Sequence, residues 1–478
     1  MKRDVAHASG ASALPLWQDF VVNHFCWRGQ AMRRERNVIM AATTRAYGPP
    51  HALLAGAASA PAGLAQRLSD ACLQLSTLLF LAVSPLMLAN FGLHYAGAGG
   101  SFLEKIHPCT WVAMMALGFK ALSRPRPLTI LQDFFDSYAV GLYMIAWLAL
   151  LMSTIFIQKQ PFTPAIDTFL LPPMLFVLAS DLGERQRLTI CRIFHVMMTA
   201  NALLGLIEFK TGFRLTPSEL VSEAGPTVAW RASAFLGHPL GNAMFTGSYA
   251  LALAVSKRSG LPDILKMPII LLQLGGLFSF GGRAALVVTI ALLGLVACLR
   301  LLEILLGARF SRAAAGAVLI VFPILLGGLV LVAQAGFFDQ MLSRFSDDNG
   351  SAAARVAMLE LFRYIGFADL MLGPDPTYLT ALQYQLNIEV GIESFWIAFL
   401  LQNGGLISLI FFPALGCLTW AVISRTTPGA LIVLIFYYFV ASTSLSMSAK
   451  TPMFGMTLFM MLVMLKRMPA PYWRGRED

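Results

Sequence analysis

Apolar residues in this chain persist for membrane-length stretches instead of alternating, over 72–91, 107–122, 137–157, 166–180, 189–209, 235–256, 267–280, 283–306, 316–335, 403–423, 428–447 and 452–465. A bilayer core about 30 Å thick takes roughly 20 helical residues to cross, and unbroken apolar runs, unlike alternating ones, exclude a barrel. The pattern predicts an all-α polytopic membrane protein with about 12 transmembrane helices. Several runs are short: 166–180 contains Pro172-Pro173, and 107–122 carries Lys120. Such segments predict helices that are kinked, half-spanning or packed around a polar cavity. Residues 1–70 are rich in Ala, Gly, Ser, Pro and Arg and lack the layout of a secretory signal, so a disordered cytoplasmic tail is expected there. The remaining division is 71–335 for helices one to nine, 336–402 for a loop, 403–467 for helices ten to twelve, and 468–478 for a second cytoplasmic tail.

The 336–402 stretch is the one long polar insertion. Eleven charged residues fall between Phe337 and Glu393, and loops of this length are usually functional or disordered. Residues 351–366 nevertheless read as a helix that Ser351 can cap, with Met358, Leu359, Leu361, Phe362, Ile365 and Arg355 on one face. Arg355 either snorkels at the membrane edge or points inward at an anionic ligand.

Composition agrees with the pattern: 57% of residues are hydrophobic and 13% charged, far from soluble averages. The net charge of +10 follows from orientation and needs no nucleic-acid partner. Of the 35 Lys and Arg, 23 fall in segments of one parity, which the positive-inside rule makes cytoplasmic together with both termini. Ten fall on the other side, among them Arg231, Arg283 and Arg355. The six cysteines are scattered without disulfide or zinc spacing, and Walker, Rossmann and zinc-protease motifs are missing, so no cofactor or metal is expected.

Three constellations on the outer face could carry chemistry. Arg231 precedes His238-Pro239, and Pro239 suits the first turn of a helix whose free amides favour an anion. Both residues also have plain readings, as a snorkelling anchor and as a histidine satisfying backbone. Arg283 follows Ser279-Phe280-Gly281-Gly282, where paired glycines permit close backbone approach to a ligand; the plain reading is an interfacial arginine. Glu393 is expected to begin an amphipathic helix, a position that the helix dipole alone also favours. Three guanidinium groups on one face suit a lipid-linked diphosphate.

In order and spacing these pieces resemble the O-antigen ligase and O-antigen polymerase superfamily of bacterial envelope glycosyltransferases. The resemblance covers roughly 189–423: Arg231 through His238-Pro239, the Ser279 to Arg283 turn, Arg355 in the long loop, Leu372-Gly373, Glu393-Ser394 and Asn403-Gly404-Gly405-Leu406. Departures are Leu240 directly after the His-Pro pair, Phe280-Gly281-Gly282 between Ser279 and Arg283, and Glu393-Ser394 where ligases carry a histidine and asparagine. The last of these brings the chain closer in character to exopolysaccharide polymerases. The resemblance implies a metal-independent GT-C-like transferase in the bacterial inner membrane, its long loop periplasmic, acting on undecaprenyl-diphosphate-linked oligosaccharide. Arg231, Arg283 and Arg355 would hold the diphosphate, and Glu393, with His238 as a second candidate, would act as base. A flippase and a chain-length regulator of the same pathway are candidate partners besides the bilayer. Alternatives are an O-antigen ligase or protein oligosaccharyltransferase and, from another class, a flippase or transporter, whose helices would need polar residues spread through both halves.

Overall fold

The computed structural model describes residues 63–95, 99–216, 231–306, 327, 334, 351–386 (side chains from Val356 onward), 388, 391–392, 394–443, 447 and 450–467. These residues are all-helical, at 77% helix and without a strand. The helices are α1 (Leu64–Ala82), α2 (Pro85–Asn90), α3 (Pro108–Leu122), α4 (Ile130–Phe135), α5 (Tyr138–Met152), α6 (Leu171–Ser180), α7 (Glu184–Thr211), α8 (Pro239–Val255), α9 (Asp263–Phe280), α10 (Arg283–Leu305), α11 (Ser351–Tyr364), α12 (Phe367–Leu372), α13 (Pro376–Gln385), α14 (Phe395–Arg425), α15 (Ala430–Thr443) and α16 (Met453–Met464). Five are long and apolar enough to cross a membrane: Tyr138–Ile157, which extends α5, together with α7, α9, α10 and α14. The chain is therefore a helical membrane protein. Shorter apolar helices cover Pro108–Leu122, Ala165–Ser180, Ala430–Thr443 and Met453–Met464.

The shortest of these lies deepest. All twelve residues of α16 are buried, and α8 is buried continuously from Gly241 to Leu253. At 1.5 Å per residue α16 is about 18 Å long, well short of the roughly 30 Å hydrocarbon layer. Surrounding helices, and not lipid, meet its sides, and a short helix is tolerated there. By contrast α10 buries only Ala285, Leu286 and Thr289, as a lipid-facing helix should.

The kink expected at Pro172-Pro173 takes the form of a widened π-turn over Ala165–Leu170 that leads into α6. Pro173 has no N–H to give the Phe169 carbonyl four residues earlier. The Tyr143 hydroxyl donates to that carbonyl at 2.8 Å, and Trp147 Nε1 donates to Ala165 O at 2.8 Å. Lys120, inside α3, is satisfied by Val177 O at 2.7 Å and Asp181 at 3.0 Å.

Helix ends beside connections of one parity are tied to each other. Gln186 bonds Asp70 at 3.0 Å, Arg425 bonds Ser180 at 2.7 Å, and Arg187 donates to Val463 O at 2.7 Å. Beside connections of the other parity, Lys450 donates to Tyr95 O at 2.6 Å and Gln158 Nε2 to Gln402 O at 2.9 Å.

Several expected boundaries move. The tail ends earlier than residue 70, since α1 is helical from Leu64. The 72–91 run is two helices, because Pro85 opens α2 and Ser84 caps it by accepting from Met87 N at 3.1 Å. Helix α14 begins at Phe395, within the expected loop, and runs on to Arg425 through a kink at Gly404. Helix α11 covers the expected loop helix, with Met358, Leu361 and Ile365 buried and Phe362 packed against them, but Leu359 is 59% exposed. It lies outside the cluster that Met358, Leu361 and Ile365 form with Leu379 and Leu382 of α13 and Ala398 and Leu401 of α14. The ninth expected crossing, 316–335, apart from residues 327 and 334, most of the first tail and all of the second lie outside the described residues.

Candidate functional site

The site begins with a stripe on α7. Asn201, Gly205 and Glu208 recur at i, i+4 and i+7, so they share one face near the helix's C-terminal end. Gly205 admits a neighbour that no larger residue could: a Cβ there would stand 2.5 Å from Phe280 and 3.0 Å from Ser279 Oγ. Asn201 Oδ1 accepts from Phe235 N at 3.1 Å, and its Nδ2 donates to Asn242 Oδ1 at 2.7 Å. Asn242 in turn donates to Ser233 O. The Glu208 carboxylate is fully buried and accepts three backbone N–H groups, from Ser233 at 2.8 Å, Ala234 at 2.9 Å and Leu215 at 3.0 Å.

The irregular 231–238 segment is thus laid along α7. Ala234 adopts φ +40°, a left-handed conformation uncommon for a non-glycine residue. Ala232 N donates to Ser279 O at 3.1 Å, and Arg214 Nη2 donates to Arg231 O at 3.0 Å. Burial pushes the Arg214 guanidinium below its ordinary pKa, while the charge of Glu208 raises it. Two of the sequence constellations, the one beginning at Arg231 and the one ending at Arg283, therefore meet at a shared hydrogen bond. Arg231 and Arg283 are each half-buried.

The paired glycines before Arg283 serve the fold in a way that sequence reasoning assigned to a ligand. Gly281 ends α9 at φ +66°, and a Cβ on Gly282 would overlap that of Ala243 in α8. The close backbone approach is to the protein itself.

His238 is exposed and caps α8, its Nδ1 accepting from Gly241 N at 3.3 Å. A neutral imidazole that accepts at Nδ1 carries its proton on Nε2, so in this geometry His238 offers a donor and not a base. The same device recurs at the chain's other His-Pro pair, where His107 Nδ1 accepts from Cys109 N at 3.2 Å and Nε2 lies 3.0 Å from Val83 O.

The long-loop elements also meet. Gly404 sits at φ +81° and ψ 161° inside α14, and a Cβ there would lie 2.5 Å from Gly373 N. The Leu372-Gly373 turn and the Asn403-Gly404-Gly405 kink, separate in sequence, are thereby in backbone contact. Arg355 stands three residues before Met358 in α11, but its side chain lies outside the described set. Glu393 is outside it as well, between Ile392 and Ser394, which are both buried. The helix expected to begin at Glu393 begins at Phe395, with Ser394 at its N-cap.

A second polar cluster, which the sequence reading missed, lies at the same end. Asp167 is fully buried and accepts from Tyr95 OH at 2.9 Å and from His107 N at 3.2 and 3.1 Å. Lys450 bonds the Tyr95 carbonyl, its Nζ 3.8 Å from that ring's centroid. The available signals were single polar residues in apolar surroundings: Asp167 at the start of a proline-broken helix, and Asn201 with Glu208 at helical spacing in α7. Charged residues inside membrane segments default to functional or structural partners of this kind.

No family model, curated protein or solved structure matches the chain.

Proposed function

We propose that the chain is a polysaccharide polymerase of the O-antigen ligase and polymerase type, GT-C-like with about twelve crossings, that joins undecaprenyl-diphosphate-linked repeat units at the periplasmic face of a bacterial inner membrane. The observation that supports this reading is the junction between Ala232 and Ser279, at 3.1 Å, which starts Arg231 and Arg283 from adjoining backbone at one end of the helix assembly.

In the reaction, an acceptor sugar hydroxyl oxygen attacks the anomeric carbon of the donor. The bond from that carbon to the diphosphate oxygen breaks, and the lipid diphosphate leaves with the electron pair. Charge neutralisation of the leaving group matters more than its protonation, so forked guanidinium groups on Arg231, Arg283 and Arg355 carry the electrostatic part. Glu393 takes the acceptor's proton. The donor character of capped His238 suits it to orient a substrate oxygen, so Glu393 is preferred as the base.

The test is elongation of undecaprenyl-diphosphate-linked oligosaccharide by the purified protein in proteoliposomes without nucleotide sugar. Lengthened lipid-linked glycan is the expected product. Transfer of a single unit to a lipid core acceptor, with no lengthening, would favour a ligase; movement of intact donor across the bilayer without bond formation would favour a transporter.

A further inference from the structure

The carboxylate of Glu208 occupies a position that helix formation by itself disfavours. It lies in the last turn of α7, at the negative end of the helix dipole, where a second negative charge is repelled, and it is fully buried. A buried carboxylate is retained only where hydrogen bonds and charges compensate its lost hydration. Here the compensation comes from outside the helix: the amides of Leu215, Ser233 and Ala234 all point at it. Both oxygens are used, Oε1 by Leu215 and Oε2 by the other two. Charge-assisted bonds of this kind are about twice as strong as neutral ones. They hold the two backbone stretches on either side of residues 217–230, one containing Leu215 and the other beginning at Arg231.

We infer that Glu208 is the positioning residue of the proposed diphosphate site, its carboxylate fixing the backbone from which Arg231 is presented beside the Arg283 turn. The role rests on the diphosphate reading given above, but the holding of the segment can be observed without it. The left-handed Ala234 lies between two such contacts. Its torsion relates two successive held amides, the Ala234 N–H on Glu208 and the Phe235 N–H on Asn201. Asn201 and Asn242 continue the same grip on Phe235 and Ser233. Of the three, Glu208 carries the charge and receives most of the amides.

The experiment uses Glu208→Gln in the full chain, reconstituted in nanodiscs. A glutamine has one acceptor oxygen and presents an NH2 group to amides that are themselves donors, so one side of the grip becomes repulsive. Backbone hydrogen exchange of a peptide covering 231–238 should accelerate at least about tenfold, one decade of opening equilibrium, while peptides within α8 and α9 keep wild-type exchange. Affinity for undecaprenyl diphosphate, used alone as the probe, should fall by a factor similar to that of Arg231→Ala. Elongation should fall about a hundredfold, the scale of loss from a misplacement of roughly 1 Å. Glu208→Asp, which retains both acceptors on a shorter arm, should recover part of each. If Glu208→Gln does not fold, Glu208→Asp and slow exchange of the Ser233 and Ala234 amides in the wild-type protein carry the test.

Wild-type exchange over 231–238 in folded Glu208→Gln would overturn the holding role. Accelerated exchange with unchanged diphosphate affinity and unchanged elongation would overturn the positioning role. Wild-type protein that binds no diphosphate, with Arg231→Ala changing nothing, would instead overturn the diphosphate reading and remove the positioning role with it, while the exchange result stood.

Discussion

Tyr95 donates its hydroxyl to Asp167 Oδ2 at 2.9 Å, and the carbonyl of the same tyrosine accepts from Lys450 Nζ at 2.6 Å. One residue thus bridges a buried acid and a half-buried base that lie far apart in sequence. Removing the hydroxyl strips a donor from a carboxylate with no access to water. Tyr95→Phe should cost about 1.5–3 kcal/mol, the range for a hydrogen bond to a charged group. Thermal unfolding in detergent would show the loss; an unchanged midpoint would mean that the pair contributes nothing.

Lys450 gives that cluster a pH dependence with a definite sign. Burial pushes its ammonium down to about 8, partly opposed by Asp167 and reinforced by Lys105. Between pH 8 and the ordinary lysine value of about 10.4, the unfolded chain holds more protons on this residue than the folded one. Stability should therefore rise with pH across that window and be flat below it as far as this group is concerned. Unfolding midpoints at pH 7 and 9.5 test the sign. Lys450→Met should flatten the slope, and an equal slope in the variant would assign the effect elsewhere.

Gly404 and Gly405 are neighbours with different constraints. At φ +81° and ψ 161° Gly404 occupies a region that essentially only glycine adopts, and any Cβ meets Gly373 backbone. Gly404→Ala should cost about 1–3 kcal/mol from conformation alone, with the backbone overlap added. At Gly405 a Cβ would meet Met371 Cε at 2.9 Å, the end of a flexible side chain that can move aside. Gly405→Ala should be milder, and equal losses at the two positions would contradict the assigned kink.

Arg231→Lys and Arg283→Lys keep the charge but lose the bidentate fork. Each should lower elongation about a hundred- to thousandfold, or about 2.7–4 kcal/mol in transition-state stabilisation. Glu393→Gln should fold and bind donor while elongation falls by about a hundred- to ten-thousandfold. Near-wild-type rates in both lysine variants would reduce the two arginines to membrane anchors; retained activity in Glu393→Gln would move the base to another carboxylate.

Topology is testable at exposed positions of opposite parity. A cysteine at Ser101 should react with an impermeant thiol reagent from the periplasmic side, and one at Lys257 only after the cytoplasmic side is opened. The reverse pattern would invert the protein and remove its proposed site from the periplasm.

Much of the architecture was legible in the apolar runs because burial in lipid demands length and continuity, which are local properties of sequence. The five long membrane helices, the irregular turn at Pro172-Pro173 and the helix in the polar loop could be read this way. Run length alone did not reveal the break at Ser84-Pro85 or the start of α14 at Phe395, because both continue in apolar sequence and differ only in which backbone groups find partners.

What only the tertiary structure decided was which distant pieces meet. That the segment after Arg231 bonds the turn before Arg283, that Gly282 faces Ala243 and that Gly404 faces Gly373 depend on helix packing, which carries no local signature. Glu208 and Asp167 show the reason most clearly. In sequence each is a single acid within an apolar stretch, indistinguishable from an interfacial charge; in the fold each is buried, and burial of a carboxylate requires donors that other helices and loops must supply.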